Sequence, residues 1–205
     1  DWNAKNVAKH QPAAFAAMEG IFETEKAGAE IVLIGQPNMV EKKLDNKIAV
    51  PNILSFLTYQ EWDKQIPGMD QFKDEELPDN IPALYYSYHI MVGLGTIFIA
   101  VMALALFFLW RRKLYNLKPL LWTIMFLVPF PYIANITGWY VAELGRQPYL
   151  VYGLLKTTDG ISPTVSSGNT LFTLLGFVAL YMLLGLLFLV LVGKTINEGP
   201  TPKTH

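Results

Sequence analysis

Asn135, Trp139, Glu143 and Arg146 recur at spacings of four, four and three along a stretch of the chain that is otherwise apolar. Such spacing puts side chains on one helix face. That face would carry an amide, an indole, a carboxylate and a guanidinium. A carboxylate at the edge of hydrocarbon needs a proton, a cation or a metal. Arg146, at i+3, is a natural ion-pair partner. Trp and Arg also anchor helix ends in the headgroup zone. That accounts for Trp139 or Arg146 singly, but not for Asn135, which lies deeper.

A second group is the run from Tyr85 through Tyr88, His89 and Met91 to Gly93 and Gly95. A thioether can bind haem iron axially, usually opposite a histidine. Gly95, one turn beyond Met91, would let a flat ring approach the backbone. Core or lipid packing is the ordinary use of such a methionine. Histidine is the commoner haem ligand, but His89 points about 200° around the helix from Met91, so the two cannot serve one iron from one face. A third group lies in His10–Gly20, where Glu19 is either a solvated helix residue or a proton acceptor for a substrate that loses protons. Phe15, Met18 and Phe22 could wall an aromatic ring or simply pack.

Three stretches are long and apolar enough to hold these groups across a membrane: 84–110, 120–142 and 171–192. Each can cross about 30 Å of hydrocarbon at about 1.5 Å per residue. Pro129 and Pro131 should kink or interrupt the second. The connector 111–119 carries Arg111, Arg112, Lys113 and Lys118 and no acid. The bias of basic loops toward the cytoplasm puts it inside. The head 1–83 and the loop 143–170 then lie outside, and the tail 193–205 inside. Within the head, residues 11–26 predict a short amphipathic helix, with Glu19 and Glu23 on a side away from Phe15, Met18 and Phe22. Ile31–Ile34 and Ile48–Val50 flank a polar turn and predict a hairpin. Ile53–Trp62 predicts an amphipathic surface helix, and the acidic, proline-bearing stretch 63–83 a linker. The fold class is therefore an all-α membrane protein, with three transmembrane helices preceded by an external loop domain of short helices and a small hairpin.

Composition agrees. Of 205 residues, 52% are hydrophobic, and mean hydropathy is +0.30. Residues 1–83 hold 14 of the 17 acids and 8 of the 16 bases, so a polar, acidic head precedes an apolar body. A net charge of −1 gives no sign of nucleic-acid binding. Cysteine is absent, which excludes disulfides, thiolate metal sites and c-type haem attachment, and leaves the compartment unread from redox chemistry. Asp1 opens in polar sequence without Met or a signal peptide, as expected of a piece of a longer chain or of a processed or separately numbered one.

Glu143-Leu144-Gly145-Arg146-Gln147-Pro148 resembles the GRQPW signature, with its upstream glutamate, of subunit I of cytochrome bd quinol oxidases; Tyr149 stands at the usual Trp. Ile90-Met91-Val92-Gly93-Leu94-Gly95 and the segment His10–Gly20 resemble two further segments of that subunit, in the expected order. The chain is thus similar to its C-terminal half, the quinol loop plus the last three membrane helices.

The resemblance implies that Glu143 ligates a high-spin haem b and Met91 a low-spin haem b, with haem d at the oxygen site. Arg146, Trp139 and Gln147 would belong to the haem surroundings, and His89 would be a propionate or interfacial partner. Glu19 would accept a proton from quinol at the outer face. Electrons would reach dioxygen, reducing it to water and generating proton motive force. The implied setting is the inner membrane of a prokaryote, with ubiquinol or menaquinol as substrate. Implied partners are membrane lipid, subunit II, and the N-terminal half of subunit I with its histidine ligands, in the same or a separate chain. One departure is plain: the family usually has Lys five residues before this glutamate, and here the position is Ala14. That motivates an alternative, a non-catalytic membrane subunit that has lost quinol oxidation. A further alternative is a three-span anchor with a ligand-binding head and no redox role.

Overall fold

In the computed structural model, residues 2–25 and 28–199 are described; the end of the expected tail, beyond residue 199, lies outside them. Residues up to Gly160 form one compact unit and those from Ile161 a second. The fold is mostly helical. Three stretches can cross a membrane by length and composition: Ile81–Trp110, Lys118–Arg146 and Ser167–Glu198.

The first unit is built around a very short helix. Helix α1 (Trp2–His10) leads into α2 (Pro12–Glu19), whose first turn is set by Pro12. Gly20 closes α2 in the left-handed conformation (φ 71°), returning its N–H to the Ala16 carbonyl. Eight residues are too few to hold a helix in water. Packing supplies the stability: every residue from Ala13 to Glu19 is buried. Burying Phe15 alone contributes on the order of 2 kcal/mol. The expected helix over 11–26 is therefore shorter, and Glu23 lies outside it. Phe15 and Met18 enter the core, with Phe22 packed at its edge.

Strands β1 (Ile31–Asn38) and β2 (Lys43–Val50) form the expected antiparallel hairpin, with longer strands and two irregularities in register, between Val32 and Ile34 and between Ile34 and Gln36. Asn38 shapes the turn: its Oδ1 accepts from the Val40 and Glu41 N–H groups, and its amide donates to Asp45. Helix α3 (Ile53–Tyr59) stops short of Trp62, which folds back to stack on Phe56 with centroids 4.3 Å apart. The segment expected to be a linker is not free. Ile66 and Met69 are buried, the Met69 N–H donates to the Ile21 carbonyl, and Asp70 accepts from both the N–H and the hydroxyl of Thr24.

Helix α4 (Ile81–Trp110) starts at Asn80, whose side chain accepts from the Ala83 N–H. The second apolar stretch is two helices, α5 (Lys118–Phe126) and α6 (Phe130–Arg146). They break at Leu127–Pro129, where the prolines remove donors and tight bonds such as Val128 N–H to the Met125 carbonyl take over. After α6, β3 (Tyr149–Val151) and β4 (Leu155–Lys156) make a small hairpin that sequence reasoning missed. The second unit is α7 (Ser167–Glu198), capped by the Ser166 hydroxyl at the Asn169 N–H.

Candidate functional site

Glu19 ends α2 and is 2% exposed, the one buried acid among the described residues. The helix turns this residue inward because α4 and the hairpin close over its last turn. From α4, the Tyr88 hydroxyl donates to Glu19 Oε1 at 2.5 Å. Burial pushes the Glu19 carboxyl up to about 7, against the Tyr88 bond, which pulls it down. Glu19 also lines a cleft of about 500 Å³ between the end of α2 and the hairpin, shared with Phe22, Leu44 and Lys43. A buried carboxyl that exchanges a proton near neutral pH at the edge of a cleft can serve as a general base. Ala14 is 2% exposed; its Cβ lies 3.8 Å from where a side chain on Gly145 would begin. No cation reaches Glu19 from that position.

Tyr85, Tyr88, His89 and Met91 all lie on α4. Tyr85 is 1% exposed and its hydroxyl has no hydrogen-bond partner; it sits under Gly20 and Gly35, where any side chain would strike its ring or hydroxyl. His89 stacks on Tyr85, and its ring nitrogens face two backbone carbonyls, Tyr85 (Nδ1, 2.9 Å) and Val32 (Nε2, 3.1 Å). With the proton on Nε2 the ring donates to Val32 and ties β1 to the membrane helix; with it on Nδ1 it donates within α4, to Tyr85. The Met91 sulfur faces α6, 2.9 Å from where a Gly138 side chain would start. Gly95, one turn on, leaves open backbone on the same face, with nothing within 4 Å of its Cβ position.

On α6, the stripe of Asn135, Trp139, Glu143 and Arg146 faces outward, and Trp139 is 72% exposed. Val141 and Gly145, on the other face, pack into the unit. Glu143 and Arg146 are about half exposed (49% and 47%), with Oε1 and Nη2 4.0 Å apart. Such a pair holds itself only weakly. Gln147 begins the connection at a cis Gln147–Pro148 bond and accepts from the Thr157 hydroxyl at 2.7 Å. Met18 on α2 sits against Gly145, so the loop helix bearing Glu19 packs two residues from Glu143. The structure thus brings Glu19 to Tyr88 and Met91 to Gly138, and leaves the Glu143 stripe unpacked. Tyr88 stands in the run singled out from the sequence but carried no role there; its partner Glu19, 69 positions away, is a tertiary contact that spacing does not reveal. No three His, Cys, Asp or Glu side chains converge on a metal site among the described residues.

Residues 1–200 match the family model described as cytochrome bd terminal oxidase subunit I. The chain is 34% identical over 210 residues to cytochrome bd ubiquinol oxidase subunit 1 of Bacillus subtilis (strain 168), covering 98% of this chain and 45% of that protein. It is 30% identical over 191 residues to a putative cytochrome bd menaquinol oxidase subunit I of the same bacterium, covering 89% and 42%. Cytochrome bd-II ubiquinol oxidase subunit 1 of Escherichia coli (strain K12) is 24% identical over 269 residues, covering 98% and 51%. The solved bd oxidase from Geobacillus thermodenitrificans superposes with a TM-score of 0.75 at 26% identity, over 97% of this chain and 45% of that one. The chain therefore spans about half the length of the curated relatives it matches.

Proposed function

The chain belongs to the cytochrome bd terminal oxidase subunit I family, and from that premise we propose that it forms part of an oxidase that takes electrons and protons from membrane quinol at the outer face. Oxidation of a quinol to a quinone releases two electrons and two protons. Glu19 accepts one of the protons. The observation that carries this reading is a carboxyl almost wholly buried, yet raised only to about 7, at the edge of a cleft. The basic 111–119 connector orients the chain with that cleft outside, in a prokaryotic cell membrane. Protons released there add to proton motive force.

The side chains suit haem. Met91 presents a thioether beside the open backbone of Gly95, and among the described residues the Glu143 side chain meets Arg146 in a long contact alone. In this reading Met91 holds a low-spin haem b and Glu143 a high-spin haem b. Arg146, Trp139, Gln147 and His89 line the surroundings, and haem d is held with ligands from outside this chain. When bound, the haems supply electron transfer and the reduction of dioxygen to water. Arg146 offsets the charge of Glu143 and of haem carboxylates. The outward stripe on α6 fits against the N-terminal half of subunit I, in the same or a separate chain, with subunit II and membrane lipid completing the assembly. The quinol is ubiquinol or menaquinol.

The test is Glu19→Gln in the purified complex. Quinol oxidation should fall by on the order of a hundredfold or more, while oxygen uptake from a donor that releases no proton persists. Unchanged quinol oxidation would contradict the reading. A second reading, a non-catalytic membrane subunit, is favoured by one observation: Ala14 fills the family's usual lysine position and is packed against α6. It holds if the native complex oxidises no quinol and Ala14→Lys does not restore activity.

A further inference from the structure

Among the described residues, Tyr88 is the one side chain that hydrogen-bonds to Glu19, and the bond joins residues 69 positions apart. The other groups around the cleft are engaged elsewhere. Lys42 pairs with Asp74 at 3.8 Å, Lys43 with Glu41, and Lys47 with Glu30. Glu23 and Glu25 line the same cleft from the segment after α2. From α4, Tyr85 is the second titratable neighbour, and its hydroxyl has no partner. No lysine or arginine forms an ion pair with Glu19 among the described residues, so its side-chain donor there is a neutral hydroxyl. The Tyr88 hydroxyl takes Oε1, and the residue itself still lines the cleft, so Oε2 is the oxygen left for a ligand.

We propose that Tyr88 is the positioning residue of the quinol site: its hydroxyl fixes the Glu19 carboxyl in one rotamer, aims Oε2 at the cleft, and keeps the group an acceptor. The inference rests on the reading of Glu19 given above. The physical reason is directional. A phenol donates to the charged carboxylate and stabilises it, whereas burial favours the neutral acid, which cannot accept a proton. Without the hydroxyl, burial acts unopposed and the carboxylate forms only at higher pH. The rotamer is also freed, so quinol meets a less well-placed acceptor.

The experiment is the pH profile of quinol oxidation by the purified complex carrying Tyr88→Phe, which keeps the ring and removes the hydroxyl. Glu19→Gln and the wild type are measured beside it. Each is also assayed for haem spectrum and for oxygen uptake from a donor that releases no proton. The acid limb for Tyr88→Phe is expected to move up by about one pH unit, with activity recovering at alkaline pH. The proton-free activity and the spectrum should stay as in the wild type. A Tyr88→Phe profile that superposes on the wild type, with Glu19→Gln inactive toward quinol, overturns the proposal and leaves Glu19 standing. A uniform loss at all pH with an altered haem spectrum also overturns it, because the hydroxyl would then serve the fold. If Glu19→Gln oxidises quinol normally, the reading of Glu19 itself fails, whatever Tyr88→Phe does.

Discussion

Glu19 closes a helix whose other buried residues are all apolar, and its proton is tied to the stability of the fold. Its carboxyl titrates near 7 when folded against an ordinary 4.5. The folded state therefore binds this proton more tightly than the unfolded chain does. The stabilisation is complete below pH 4.5 and is lost as pH rises through 7, with an upper bound of about 3 kcal/mol. Melting of the purified complex should show the midpoint of this region falling between those pH values. Glu19→Gln should flatten that dependence and melt higher at neutral pH; an unchanged slope would show the proton sits elsewhere. The importance of Glu19 was legible only through the resemblance of its segment. Periodicity put it on a face away from Phe15 and Met18, which reads as solvated. It is buried because α2 is covered on all sides, and the pattern of a single eight-residue helix cannot report that.

At the scale of elements, the contact between α4 and α6 runs through small residues, as membrane helices favour. A Cβ on Gly138 would meet the Met91 sulfur at 2.9 Å, the far end of a flexible side chain. Gly138→Ala should cost little stability yet displace the thioether, altering the low-spin haem band. Gly176→Ala on α7, with nothing within 4 Å, should leave the spectrum unchanged. Equal spectra for the two would place Met91 away from any haem. The membrane-length helices were legible because hydropathy over such lengths is unambiguous, and Pro129 and Pro131 marked the break between α5 and α6. The head was read less well. Helix α1 and the β3–β4 hairpin have weak patterns, and the stretch 63–83 looked like a linker because its hold on the core comes from Ile66, Met69 and the Asp70–Thr24 bonds. Those are tertiary contacts invisible to composition.

At the scale of the whole molecule, acidic charge gathers in 1–83 while the apolar body carries an outward row of Asn135, Trp139, Glu143 and Arg146 on α6. A polar row on a membrane helix is costly if it faces lipid. Cofactor and partner surfaces, as proposed above, would relieve that cost. The central claim is that this chain supplies haem ligands to a quinol oxidase. The most direct measurement is the reduced-minus-oxidised spectrum of the complex purified through this chain, native and with Met91→Leu. The account predicts b-type and d-type haem bands in the native complex, with the low-spin b band alone lost or shifted in the variant. A colourless native complex, or identical spectra for the two, would contradict it.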